Sequence, residues 1–167
     1  MSIPTPAELR ITPRDRRFGR QTFTPRLWHG GRVEATAIYN ALSTTFPKGE
    51  AFFVESVRAF REGAPAKLAE EIKAFTTQEA IHSREHDAFN KRAMDSGYDL
   101  TKLEERVAQR LAITRGRPPV VSLAATMALE HFTAILAHQL LANPKAFVFH
   151  SWEVRHSCLP QCSPERG

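Results

Sequence analysis

Residues 66–96 read AKLAEEIKAFTTQEAIHSREHDAFNKRAMDS, and the spacing of their apolar side chains decides the fold. Alternate steps of four and three give Leu68, Ile72, Phe75, Glu79, His82, His86, Phe89 and Ala93. That is the core-facing stripe of a long amphipathic helix packed in a bundle. Five of the eight positions are apolar, but the three in the middle are a carboxylate and two imidazoles. Gly97 is placed to end this helix, since glycine enters the left-handed conformation that follows a last turn.

Working outward, the same pattern appears on both sides. A first helix is expected from Glu34 to about Glu62, interrupted or restarted at Pro47 and broken by Gly63-Ala64-Pro65. Its stripe is Phe46, Glu50, Phe53, Val57 and Phe60. A shorter third helix, capped by Asp99 or Thr101, reaches about Arg115. Gly116 and Pro118-Pro119 separate it from an apolar fourth helix over about Val120–Ala142, which Asn143-Pro144 stops. The stripe of that helix is Val120, Leu123, Met127, Glu130, Ala134, Ala137 and Leu141. No strand-like alternation occurs, so the fold class is all-α, a helical bundle. Three domains of character follow: an irregular basic arm over 1–33, the bundle over 34–144 and an irregular tail over 145–167.

Three helices thus each aim a glutamate at the core. An unpaired buried carboxylate costs several kcal/mol, so it persists when paired, protonated or bound to a cation. Several carboxylates converging on one point repel one another, and a divalent metal reverses that repulsion. Glu79 and His82 spell Glu-x-x-His, which sets oxygen and nitrogen ligands one turn apart, the building block of carboxylate-bridged di-iron and di-manganese sites. If the first two helices form a hairpin about residue 64, Glu50 and Glu79 lie level across it, whereas Glu55 misses the stripe. The expected metal ligands are therefore Glu50, Glu79, His82 and Glu130. His86 is either a further ligand or, the reading preferred, a group that holds a ligand carboxylate in place, and His131, beside Glu130, is the other candidate for that second role. No catalytic residue is assigned. Oxygen-rich sites of this kind suit iron or manganese, and zinc also fits.

The blocks ALSTTFPKGEAFFVESVR (41–58), QEAIHSREHDAFN (78–90) and LAATMALEHFTAILA (123–137) together resemble a bacterial family labelled predicted metal-dependent hydrolases. The resemblance covers roughly residues 10–142. It implies a ferritin-like bundle with some likeness to di-iron N-oxygenases, and it places Glu50, Glu79, His82 and Glu130 on the family's acidic and histidine positions. Members of that family carry a further helix with a second Glu-x-x-His. Here Glu153-Val-Arg-His156 has the right letters, but Pro160 and the Cys158/Cys162 region leave little room for a long helix, so it is taken as a decoy. The chain is accordingly expected to lack its last core helix. A zinc cluster of His150, His156, Cys158 and Cys162 fits none of the usual ligand spacings.

Three functions stay open on these grounds: a metal-dependent hydrolase, a di-iron oxygenase-like enzyme, or a non-catalytic metal-binding remnant of the bundle. The partner is an unidentified small-molecule substrate, with a homodimer possible through an open apolar face. Lys+Arg 23 against Asp+Glu 18 gives a net charge of +5, and seven of the arginines fall between Arg10 and Arg32. That cluster reads as an arm lying over the domain; nucleic acid is not the expected partner. No uninterrupted apolar run of about 18 residues is seen, so no membrane partner is expected. MSIPTPAELR has no apolar leader core, and the two cysteines form no disulfide framework, so a cytoplasmic location is expected.

Overall fold

The computed structural model of the chain describes residues 10–18 and 24–142. Four α-helices follow one another: α1 (Val33–Arg58), α2 (Ala66–Asp95), α3 (Thr101–Leu111) and α4 (Pro119–Ala142), with a short 3-10 turn over Ala112–Thr114 after α3. No strand occurs among the described residues. The all-α expectation holds. Helix α1 is the hub, packed against α2 most extensively and against α3 and α4 as well.

Helices α1 and α2 form an antiparallel hairpin. Gly63 turns the chain at φ +75°, and the cross-helix pairs run in opposite directions. Glu50 meets His82, while Ser43 meets His86 and Asn90. Gly97, at φ +94°, ends α2. A side chain there would also strike the Arg26 guanidinium, which donates to the Gly97 carbonyl at 3.1 Å. Asp99 accepts the Thr101 backbone N–H at 3.0 Å, satisfying one free donor at the start of α3.

Two expectations about helices are corrected. Pro47 neither interrupts nor restarts α1, which is continuous through it. A proline ring lacks the N–H that would bond to the carbonyl four residues back, here that of Ser43. The Asn90 side-chain amide donates to that carbonyl at 3.3 Å, so the hairpin partner compensates for the missing bond. The stripe of α4 is also shifted. Thr126 is buried while Met127 is 66% exposed, so the inward face runs Leu123, Thr126, Glu130, Ala137, Leu140. Ser56 and Thr126 share a hydrogen bond of 2.7 Å and fix α4 to α1 in that register.

Helix α4 is also long and apolar enough to cross a membrane by length and composition. The expectation of no such segment is corrected to that extent: Glu130, Gln139 and scattered Ser, Thr and His break the run of letters without making the helix polar on average. Thr126 and Glu130 turn toward the bundle, while Val120, Met127, Leu129, Phe132, Ile135 and Leu136 are exposed.

In the basic arm, residues 14–18 lie along α2 and run parallel to it. The Arg14 backbone N–H donates to Gln78 at 2.8 Å, the Phe18 N–H to Glu85 at 3.1 Å, and Arg84 pairs with Asp15 at 2.6 Å. Further on, the Trp28 indole N–H donates to Asn40 at 2.9 Å and its ring meets Phe89 edge-on. The interior these contacts cover is unusually polar. Among the described residues, the buried apolar set is Phe53, Ile72, Ala93, Leu100 and Leu140, outnumbered by buried Thr, Ser, Asn, Gln, Glu and His.

Candidate metal centre

Hairpin geometry brings Glu50 from α1 against Glu79 and His82 from α2. One ligand atom from each lies within 4.8 Å of the other two. Both glutamates are 1% exposed. The Nδ1 atom of His82 stands 3.3 Å from Glu50 Oε1, within ion-pair reach but off the hydrogen-bond direction. Neither oxygen of Glu50 has a hydrogen-bond donor among the described residues. Buried polar atoms are nearly always satisfied, so these two stand out.

Electrostatics agree with the geometry. Burial pushes the Glu79 carboxyl up to about 8, helped by repulsion from Glu130 and Glu50. Burial also raises Glu50, against the opposing pull of His82, and it raises Glu130, which His82 lowers and Glu50 raises further. At neutral pH the Glu79 carboxyl thus holds a proton that a cation can displace. Donor atoms sharing one cation at about 2 Å lie up to roughly 4 Å apart, so Glu50, Glu79 and His82 need only close slightly. The set fits a divalent metal with hard oxygen donors and one imidazole.

Glu130 faces the bundle and feels the charges of Glu79 and His82, but it lies outside the group of three. It lines an open cavity of about 400 Å³ whose walls are Val57, Ile72, Phe75, Leu123 and Met127, with Ile11 of the arm at its edge. Of the four expected ligands, only Glu130 lines this cavity. Glu55 is exposed on another face of α1, as its absence from the stripe implies.

His86 is buried but makes no part of the group. Its Nδ1 pairs with Ser43 Oγ at 2.9 Å, its ring stacks on Phe46 with centroids 4.2 Å apart, and it meets the His82 ring edge-on at 5.9 Å. Burial, and to a smaller degree His82, pushes it down to about 3, so it stands as a neutral ring beside His82. The hydrogen-bond partner it has among the described residues is thus a serine hydroxyl on Nδ1. His131 is exposed and its ring meets Phe132 edge-on; the structure does not bring it to the cluster. Ser43 is the neighbour that periodicity missed. It stands three residues before Phe46, so extending the α1 stripe backwards by one step would have found it.

A family model described as predicted metal-dependent hydrolase matches residues 12–156. The chain belongs to this family. No curated protein and no solved structure matches it significantly. The family's span includes the whole hairpin and α4, and it runs beyond the expected limit near residue 142 to take in Glu153 and His156. Those two residues, and the cluster of His150, His156, Cys158 and Cys162, lie outside the described residues. Family membership and the buried group of Glu50, Glu79 and His82 thus both point to a metal.

Proposed function

We propose that this chain is a metal-dependent hydrolase whose divalent cation is held between α1 and α2 by Glu50, Glu79 and His82, with Glu130 turned toward it from α4. The observation that carries this reading is Glu50. Its two oxygens are buried beside a second buried carboxylate, with the His82 Nδ1 3.3 Å from Oε1 and no well-directed hydrogen bond among the described residues. That arrangement is costly for an empty core and natural for a cation site. A glutamate on one helix facing Glu-x-x-His on the next also supports a ferritin-like relationship for α1, α2 and α4.

A divalent cation supplies Lewis acidity, polarising a substrate carbonyl or phosphoryl oxygen and acidifying water. The protein's own groups do the rest. Glu50, Glu79 and His82 fix the position of positive charge, and the buried Phe53 and stacked Phe46 keep bulk water from the α1 side. Glu130 lines the open cavity with a carboxyl raised above its usual range. A raised carboxyl within reach of solvent is suited to accept and return a proton at its Oε atoms. A second reading, oxygen chemistry on iron, is favoured by one observation: the donor set is mostly carboxylate, which suits iron or manganese.

The test is metal content of purified protein after loading with iron, manganese or zinc, followed by hydrolysis of generic esters and by oxygen uptake with a reductant. Bound metal that disappears in Glu79→Gln, together with ester hydrolysis, is the expected result. A folded protein that retains no metal overturns the proposal, and oxygen uptake without hydrolysis moves the assignment to the second reading.

A further inference from the structure

Gly49 sits in the interior of α1 with ordinary helical backbone, where glycine weakens a helix relative to alanine. Close approach of another helix does not require it. A Cβ built there meets only the far edge of the Phe53 ring, at 3.9 Å, an ordinary contact. What lies over Gly49 instead is a cavity of about 350 Å³ between α1, α3 and α4. Its walls are almost wholly hydrocarbon: Phe46 and Phe53 from α1, Leu103 and Val107 from α3, Leu129 from α4. It is open on one side, and its volume falls in the range of small-molecule pockets.

Two arginines complete the lining. Arg106 and Arg110 stand one turn apart on α3, so their side chains are neighbours on one helix face. Both residues are exposed, and neither guanidinium has an ion-pair or hydrogen-bond partner among the described residues. An apolar hole with two unpaired cations at its rim is complementary to a molecule with an apolar chain and one anionic end. We propose that this cavity binds an amphiphilic carboxylate, the chain lying over Gly49 and the carboxylate on Arg106 and Arg110. Gly49 directly precedes Glu50 on α1 and Leu129 directly precedes Glu130 on α4, but the pocket's lining includes none of Glu50, Glu79, His82 and Glu130. Binding there does not depend on the metal reading.

The experiment is calorimetric titration of the full chain with hexanoate, octanoate and decanoate, with decanol as the uncharged control. Each added methylene that becomes buried strengthens binding about fourfold, so affinity should climb with chain length at one molecule per chain. Gly49→Leu fills the floor of the cavity and should weaken decanoate at least about tenfold, a 1.4 kcal/mol change. The surface pair Arg106→Gln/Arg110→Gln, which does not threaten folding, should weaken decanoate about tenfold and leave decanol unchanged. Glu79→Gln should leave decanoate binding intact, separating this site from the metal centre. The proposal is overturned by absence of saturable binding, by decanol binding as tightly as decanoate, by uptake of several molecules per chain, or by an arginine-pair variant that binds like the parent.

Discussion

Asn90 on α2 donates its side-chain amide to the Ser43 carbonyl of α1, 3.3 Å away, the same carbonyl that Pro47 cannot serve from within the helix. The two features depend on each other. Asn90→Ala should destabilise by about 1–3 kcal/mol, the usual penalty for leaving a buried acceptor unsatisfied. In a Pro47→Ala background the helix supplies its own N–H, and the penalty should shrink to less than about half. Denaturant titration of the four proteins of the cycle measures this. Equal penalties in both backgrounds would show that the amide does not answer for the proline.

The pH dependence of the metal-free protein follows from two opposed shifts. Glu79 rises from 4.5 to about 8 in the folded chain, so its stabilising contribution is complete below pH 4.5 and lost as pH rises to about 8. Glu50 and Glu130 are raised as well and act with the same sign. His86 falls from 6.5 to about 3, so its contribution is complete above pH 6.5 and lost as pH falls toward 3. Metal-free protein should therefore be most stable in mildly acid solution and lose on the order of a few kcal/mol toward pH 8. A bound cation replaces the protons, so metal-loaded protein should lack that alkaline decline. Thermal unfolding with chelator and with manganese tests it; a Tm of the chelated protein that rises toward pH 8 contradicts the assignment.

Glu79→Gln separates stability from metal binding. The amide keeps the shape and removes the charge that repels Glu50 and Glu130, so at pH 8 without metal the variant should gain about 1–3 kcal/mol. Metal affinity should fall more than about a hundredfold, since loss of outer partners alone costs 10–100-fold. The exposed Glu55→Gln should change neither quantity. A Glu79→Gln protein that is less stable without metal would mean that this carboxyl makes contacts the charge argument ignores.

What could be read from the sequence was whatever depended on period and chain reversal. The α2 stripe placed Ile72, Glu79, His86 and Ala93 in the interior, where they are buried, and symmetry about residue 64 set Glu50 level with Glu79, with which it is grouped in the structure. Two things escaped because they depend on neighbours in space. Continuity of α1 through Pro47 requires Asn90, 43 residues later, which no local rule connects to it. The α4 register failed because that helix is apolar all round, so Leu123 can be followed by Thr126 or Met127 with little in the letters to decide. A hydrogen bond to Ser56 decided it. The polar stripe of Ser43 and Asn90 beside the carboxylates was passed over for a related reason: apolar periodicity is the signal for a core, and this core is hydrogen-bonded.

The register of α4 gives the last prediction, because it sets whether Glu130 can serve the cluster at all. Thr126 is 2% exposed and shares a 2.7 Å hydrogen bond with the buried Ser56. Thr126→Val keeps the volume, removes the hydroxyl and leaves Ser56 with one partner fewer, so it should destabilise by about 1–3 kcal/mol. Met127 is 66% exposed, and Met127→Lys should change stability by no more than about 0.5 kcal/mol, as surface substitutions do. If α4 were rotated to bury Met127, the order would reverse, with the lysine the more damaging of the two. That rotation of roughly 100° would also swing Glu130 away from His82 and Glu79, whose charges it feels in the present register. Denaturant midpoints of the two variants, compared with the metal affinity of Glu130→Gln, therefore read one geometry twice. A costly Thr126→Val together with reduced metal affinity in Glu130→Gln is the expected pair, and a harmless Thr126→Val beside a destabilising Met127→Lys would remove Glu130 from the site.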